Sequence, residues 1–290
     1  MSEAIASFRQ LHDLLVDHDR EKRPRDVLMR SVPATLCLMA ALEPLRHLAT
    51  SKPGEVDRDA LRDLFALSVI DDLLLNWPGA HPDDRDEFFS ALGFAPFEER
   101  AAFSPLTCEI GAISNDDIPA EAGIRFLSTH WSGLMFGDMV FARCTKTVIC
   151  HESLGLVAGI ADESTLHFTN QRRNRPANDL SHGWGHHSRW RTDFHRSYRT
   201  AGIDFYNVDA PIDIGIPKAR LAKAGSPPAE LSLDQARELL MHRGFVRTPD
   251  IDEGWPYDWR LAMRDTGHAW PLNEADLVPF DVALRRAGVV

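Results

Sequence analysis

Apolar residues recur at three- and four-residue spacing through the N-terminal third of the chain, which is the period of an amphipathic helix. The widest apolar stripe runs from Asp57 to Trp77 and ends at Pro78. The adjacent carboxylates Asp71 and Asp72 are interpreted as part of its solvated face. This part of the chain is therefore predicted to be a helical subdomain. Its helices are predicted to begin with a cap on Ser2 and to continue at 31–48, 57–77 and 84–92.

The pattern changes beyond about residue 104, where short runs rich in Val, Ile, Phe and Thr alternate with turn residues. Runs of this length and composition are typical of β-strands, and their close spacing favours one mostly antiparallel sheet. The predicted strands span residues 107–114, 124–128, 139–144, 147–151, 154–160, 165–169 and 203–208.

The C-terminal part carries one clear helical pattern, from Leu233 to His242, and several tryptophans with little periodicity. We expect this part to be a helical or irregular cover over the sheet. The chain is thus predicted to have an α+β fold in three parts. These are an N-terminal helical subdomain (1–103), an antiparallel β-rich core (104–214) and a tryptophan-rich C-terminal cover (215–290).

The net charge of −11 disfavours general binding to nucleic acids, because that function needs an excess of basic residues. The first residues carry no basic segment followed by an uninterrupted apolar run, and no apolar run is as long as a membrane span. The four cysteines form no CxxC pair and predict no disulfide framework. We therefore expect a soluble, cytoplasmic protein without a membrane partner. Its 27 arginines against 5 lysines are typical of a bacterial genome rich in G and C.

One segment, HGWGHHSRWRTDFHRSY from His182 to Tyr198, combines four histidines, three arginines, two tryptophans and a tyrosine. Imidazole and guanidinium groups need water or hydrogen-bond partners, whereas large rings favour burial, so this mixture predicts a site. Two glycines predict a tight loop before Ser188. From there the pattern fits either a helix or a strand. In both conformations, the aromatic side chains anchor the segment to the protein, and its arginines and His195 project from it close to one another.

The first interpretation of this segment is an anion site. The stretch from Gln171 to Thr200 contains seven arginines and only two aspartates, which gives it a local positive charge in an acidic protein. Arginine binds phosphate or carboxylate through paired hydrogen bonds, and tryptophan can stack on a ring. The same arginines could instead pair with the acidic helical part and join it to the sheet. The candidate substrate-binding residues are Arg172, Arg173, Arg189, Arg191, Arg196, Trp184 and Trp190.

The second interpretation is acid–base chemistry by a histidine that a carboxylate holds in place. His195, His187 and Asp193 are the candidate catalytic residues. For any single histidine, a structural role with hydrogen bonds within a polar loop is the favoured alternative.

A metal centre is the third interpretation. His182, His186 and His195 could bind Zn²⁺ or Fe²⁺ together with Asp193 or His151. The spacing matches no known ligand motif, and the neighbouring arginines would repel a cation, so no metal is assigned.

These observations together predict a cytoplasmic bacterial enzyme that acts on a phosphate- or carboxylate-bearing small molecule. Histidine acid–base chemistry would take place in an arginine-lined pocket. The alternative is a non-catalytic interaction, immunity or regulatory protein, in which the same segment is an interface or a structural staple. The expected partner is accordingly a small anion or another protein. No glycine-rich dinucleotide or phosphate-loop motif is present, and the pattern specifies neither a cofactor nor an oligomeric state.

Overall fold

The computed structural model describes residues 7–18, 23–25, 28, 40, 42–43, 45–46, 58–78, 81–99, 103–114, 118–119, 122–151, 194–216, 233–242, 259–266 and 272–288. These residues belong to two compact units. The first comprises those up to Pro96 together with Leu134–Gly137 and Phe194. The second comprises Phe97–Gly133, residues 138–151 and those from His195 onwards. The division into 1–103, 104–214 and 215–290 stays a prediction.

Helices predominate in the first unit. They are α1 (Phe8–Val16), α2 (Arg58–Leu75) and α3 (Pro82–Ala91). The Ser7 hydroxyl caps α1, since it accepts a hydrogen bond from the backbone N–H of Gln10 at 3.3 Å. The expected cap on Ser2 is wrong for this helix, and Ser2 itself lies outside the described residues. Only some residues of the helix expected at 31–48 are described, and all of these are helical. They are Ala40, Leu42, Glu43, Leu45 and Arg46.

A buried ion pair connects α2 to α3. The Arg85 guanidinium donates hydrogen bonds to both carboxylate oxygens of Asp71, at 2.5 Å and 3.2 Å. Asp71 and Asp72 are each only 1% exposed. Their interpretation as a solvated helix face is therefore wrong, because the arginine that pairs with Asp71 lies on another helix.

The described strands are short, and each unit contains some of them. They are β1 (Ala95–Phe97), β2 (Cys108–Ser114), β3 (Arg125–Trp131), β4 (Gly133–Phe136), β5 (Met139–Ala142), β6 (Cys144–Ile149), β7 (Tyr198–Thr200), β8 (Ile203–Tyr206), β9 (Ile212–Asp213), β10 (Trp259–Arg264) and β11 (Leu277–Val278). The expected strands at 154–160 and 165–169 lie outside the described residues.

The strands of the second unit pair in two sheets. In a three-stranded sheet, β6 lies between a parallel β2 and an antiparallel β3. In the larger sheet, the strands of this unit follow the antiparallel order β5-β7-β8-β10-β11, and β9 pairs with β10 in parallel. The α+β fold and the predominance of antiparallel pairing are confirmed. The described strands form two sheets instead of the one expected.

Strand β10 lies inside the larger sheet, although its sequence was expected in an irregular cover. Ala262 pairs with Phe205 of β8 on one side and with Val278 of β11 on the other. Most of the strand is buried, including Trp259 and Leu261. A strand buried on both faces shows no alternation of apolar and polar residues, so periodicity could not identify it.

Two helices accompany the sheets of the second unit. They are α4 (Leu233–His242), as expected, and α5 (Phe280–Arg286) near the C-terminus. The Phe280 ring packs edge-on against Phe205 of β8, with 5.5 Å between ring centres. None of the helices in the described part of the chain is both long enough and apolar enough to cross a membrane.

Candidate functional site

Two of the expected site residues, His195 and Arg196, lie in the part of the chain that the structure describes. The others lie outside it, and they are His187, Asp193, Arg172, Arg173, Arg189, Arg191, Trp184 and Trp190. Residues 194–197 have no regular secondary structure and lead directly into β7. The helical interpretation of the segment is therefore wrong from Phe194 onwards.

A turn after β8 supplies the partner of Arg196. The Ala210 N–H donates to the Asn207 carbonyl at 3.1 Å, and Asn207 has a positive φ of 50°, which asparagine adopts more readily than most residues. The Val208 N–H donates to the Arg196 carbonyl at 3.0 Å. These backbone hydrogen bonds place Asp209, which belongs to the turn, beside the Arg196 side chain.

The Arg196 guanidinium is fully buried and paired with Asp209. Nε donates to one carboxylate oxygen at 2.6 Å, Nη2 donates to the other, and Nη1 donates to the Tyr198 hydroxyl at 3.0 Å. Burial by itself would lower the pKa of Arg196, but Asp209 and Tyr198 outweigh it and raise that pKa above its usual value. Arg196 therefore stays charged, and all three of its side-chain nitrogens have acceptors.

These contacts favour a structural role for Arg196. A phosphate or carboxylate ligand would have to displace Asp209 to form paired hydrogen bonds with the guanidinium. The surroundings of Arg196 thus match the alternative in which the segment is a structural staple more closely than the expected role in substrate binding. The partner carboxylate lies on the turn after β8 and does not come from the acidic helical part.

A second ion pair joins β7 to β8. Arg199 and Asp204 are opposite each other in the register, and the guanidinium donates to the two carboxylate oxygens at 2.6 Å and 2.9 Å. Arg199 also donates to the Ser104 hydroxyl at 2.7 Å and lies 3.3 Å from the Asp265 carboxylate. The hydrogen bonds with Asp204 raise the pKa of Arg199. Burial raises the pKa of Asp204, although the hydrogen bonds from Arg199 act in the opposite direction.

The two pairs reduce the positive charge that residues 171–200, called the basic segment below, can offer to a ligand. Arg196 and Arg199 are two of its seven arginines, and their partners Asp209 and Asp204 lie outside residues 171–200. Five arginines of the segment then face its two aspartates. A positive excess persists, but it is smaller than the sequence count indicates.

His195 lies directly before a stretch of backbone that hydrogen bonds hold in place. Its neighbours Phe194 and Arg196 are buried, whereas His195 itself is half-buried. The Val140 N–H donates to the Ser197 carbonyl at 2.9 Å, which adds to the hydrogen bond on the Arg196 carbonyl. The residue as a whole is half-buried, but its Nε2 atom is buried. Acid–base chemistry at this nitrogen would require a movement that exposes it, because a proton donor or acceptor must meet the reacting atom.

Sequence reasoning missed a buried polar group in the same sheet. Tyr206 on β8 is fully buried, and no described group forms a hydrogen bond with its hydroxyl. Burial raises the pKa of Tyr206 well above its usual value. The guanidinium of Arg143, which is also buried, lies 5.8 Å from the centre of the Tyr206 ring and donates to the Met241 carbonyl at 2.6 Å. One signal could have pointed here, namely an arginine in the otherwise apolar run MVFARC.

His130 on β3 is a second histidine that the sequence pattern did not single out. Its side chain is exposed, and Nε2 lies 2.8 Å from the Thr147 hydroxyl of β6. A β-carbon on Gly111 would lie 3.2 Å from this imidazole and 2.6 Å from the Thr145 methyl group, so glycine is required there by close packing. His130 provides an exposed histidine in the same unit with which His195 can be compared.

A metal centre finds no support in the residues that the structure describes. Among them, no three histidine, cysteine, aspartate or glutamate side chains are grouped so that they could hold an ion. His195 and His151 belong to this part of the chain, whereas His182, His186 and Asp193 lie outside it.

Comparison of the chain with protein families, with curated proteins and with solved structures found no match.

Proposed function

We propose that the chain is a cytoplasmic bacterial enzyme that binds a phosphate- or carboxylate-bearing small molecule and uses His195 to transfer a proton. The observation that carries this proposal is the half-buried position of His195 on a backbone held by the Arg196–Asp209 pair and its flanking hydrogen bonds. Proton transfer needs a ring nitrogen that meets the reacting atom in a constant geometry, so the buried Nε2 of His195 would have to become exposed when the ligand binds. His187 and Asp193 would assist it.

Four of the five remaining arginines of the basic segment are proposed to bind the anionic group. Arg196 and Arg199 are excluded from this role because their guanidinium groups already have carboxylate partners. Guanidinium groups hold phosphate or carboxylate through paired hydrogen bonds, and an indole ring can stack on a flat ligand. The proposed ligand-binding residues are Arg172, Arg173, Arg189, Arg191, Trp184 and Trp190.

Calorimetric titration with inorganic phosphate and with citrate tests the binding step. Arg191→Ala should weaken binding about tenfold or more, because hydrogen bonds to a charged group contribute about 1.5–3 kcal/mol. Arg125→Ala is the matched control, since it removes an exposed arginine from β3, and it should leave the affinity unchanged. Equal affinities in the two variants would contradict the proposed anion site.

Turnover is tested on a panel of phosphate monoesters and carboxylic acids, with products detected by proton NMR. His195→Gln should lower kcat about 100-fold or more, while the affinity for inorganic phosphate changes little. His130→Gln replaces an exposed histidine of β3 and should retain full turnover. Wild-type turnover in the His195→Gln variant would exclude the proposed role.

A non-catalytic structural or interaction role is the second candidate. It is favoured by the internal pairing of Arg196 and Arg199, the two arginines of the segment that the structure describes. If the other arginines are used in the same way, neither phosphate binding nor turnover should be detected. Arg191→Ala would then lower the free energy of unfolding instead of the ligand affinity.

A further inference from the structure

Two cysteines meet in the three-stranded sheet, far from the basic segment in the sequence. Cys108 of β2 and Cys144 of β6 are partners in the parallel register, although 36 positions separate them in the chain. Their sulfur atoms lie 3.2 Å apart, and both are free thiols. Side chains of Phe103, Ile110 and Val148 belong to the same apolar cluster.

The surroundings make the two sulfurs chemically unequal. The pKa of Cys144 is lowered, first because the Cys108 thiol donates a hydrogen bond to its sulfur. A backbone hydrogen bond from Glu99 and the positive charge of Lys146 act in the same direction, against the effect of burial. The pKa of Cys108 is raised by its hydrogen bond with Cys144 and by burial. Cys144 is thus the better nucleophile, and Cys108 is the nearby thiol that can form a disulfide with it.

We propose that Cys108 and Cys144 are a redox-active pair that hydrogen peroxide converts into a disulfide between β2 and β6. The Cys144 thiolate attacks one peroxide oxygen and the O–O bond breaks, so that Cys144 becomes a sulfenic acid. The hydroxide that leaves takes up the proton that the Cys144 thiol has lost and becomes water. The Cys108 sulfur then attacks the Cys144 sulfur, the S–S bond forms, and the hydroxyl group leaves as water with the Cys108 proton. Two thiols and one peroxide molecule thus give one disulfide and two water molecules.

The backbone already has the geometry that this bond needs. Neighbouring strands lie about 4.8 Å apart, and the α-carbons of a disulfide lie about 4.4–6.8 Å apart. The sulfurs have only to approach by about 1 Å from their separation of 3.2 Å. Rotation of the two side chains can supply this distance without a change in strand register.

The burial of the two cysteines limits the size of the oxidant that can reach them. Cys108 is 1% exposed and Cys144 is 0% exposed, so a bulky disulfide such as oxidised glutathione cannot reach either sulfur in the folded protein. Hydrogen peroxide is little larger than water and needs a much smaller opening. The pair is therefore expected to respond to peroxide and to resist glutathionylation.

The test treats the folded protein with hydrogen peroxide and maps its cysteines by mass spectrometry without reduction. The expected product has lost two hydrogen atoms and contains a peptide pair linked through Cys108 and Cys144. Oxidised glutathione should leave both thiols free over the same time. In Cys108→Ser, peroxide should leave Cys144 as a sulfenic acid, which dimedone traps when the protein is subsequently unfolded in its presence.

Matched controls come from the other two cysteines. Cys150, which directly follows β6, is also buried, and burial raises its pKa. Cys150→Ser and Cys37→Ser should both retain the link at wild-type yield. Free Cys108 and Cys144 thiols after peroxide treatment, or a link through Cys37 or Cys150, would overturn the proposal. A mixed disulfide of Cys144 with glutathione would overturn the assigned oxidant.

Discussion

Replacing Asp209 with alanine removes the carboxylate that pairs with the Arg196 guanidinium. The two groups share a bidentate hydrogen-bonded pair, and Arg196 is 0% exposed. After the substitution the Tyr198 hydroxyl is still within 3.0 Å of Nη1, but it carries no charge. The guanidinium is then buried without an opposite charge, which is among the most costly arrangements inside a protein.

We expect Asp209→Ala to lower the free energy of unfolding by about 3–5 kcal/mol, the usual cost of removing one partner of a buried pair. Arg196→Met should cost less, about 1–3 kcal/mol. The Asp209 side chain is 19% exposed, so its carboxylate can still reach water when the arginine is absent. The double variant should be more stable than Asp209→Ala alone, because no unpaired guanidinium is left in the interior.

Urea unfolding of the three variants, followed by far-UV circular dichroism, measures these differences in the free energy of unfolding. The dependence of this free energy on urea concentration should have the same slope in all of them. Glu87→Ala is the control, because it breaks an ion pair with Arg25 in which both side chains are about half exposed. It should cost less than about 1 kcal/mol. A similarly small loss for Asp209→Ala, or a double variant less stable than Asp209→Ala, would refute the assignment of a buried structural pair.

Three further predictions follow from the described contacts. Burial raises the pKa of Asp204, so its contribution to stability is full below the ordinary carboxyl pKa and declines as pH rises through the raised value. Asp204→Asn removes this decline. The difference in the free energy of unfolding, variant minus wild type, should therefore increase from about pH 4 to about pH 7. A difference that stays constant over this range would contradict the prediction. Oxidation of Cys108 and Cys144 closes a loop of 36 positions and should stabilise the chain by about 3–4 kcal/mol, measured by urea unfolding with and without reductant. Ser7→Ala removes the acceptor for the Gln10 N–H at the start of α1 and should cost about 1 kcal/mol in thermal unfolding, whereas an unchanged melting temperature would argue against the cap.

The internal pairing of two arginines changes how the basic segment is understood. A count of charges treats all seven arginines as equivalent, but Arg196 and Arg199 have buried or half-buried carboxylate partners. Their ion pairs connect β7 and the residue Arg196 before it to β8 and the turn that follows β8. The backbone that directly follows His195 is also held in place by hydrogen bonds.

Local patterns in the sequence predicted the longer helices closely. Helix α2 spans Arg58–Leu75, against an expectation of 57–77, and α4 matches its expected range. Helical periodicity is a local property, since residues three and four apart share a face whatever the rest of the chain does. The strands at 108–114 and 203–206 were likewise close to expectation.

The candidate site was predictable only as a segment. Its mixture of histidine, arginine and tryptophan directed attention to His195 and Arg196 because these residue types are costly to bury together. Nothing in the local sequence distinguished a structural arginine from an available one. That distinction depends on Asp209, which follows after β7 and β8 and reaches Arg196 through the turn at Asn207.

The sequence by itself determined the α+β character, the helical N-terminal part and the position of the unusual basic segment. The tertiary structure alone decided that Asp71 is buried against Arg85, that β10 lies inside the larger sheet, and that Cys108 lies opposite Cys144. Each of these facts depends on which distant residues become neighbours. Strand register and helix packing set that, and both are properties of the whole fold that local periodicity does not encode.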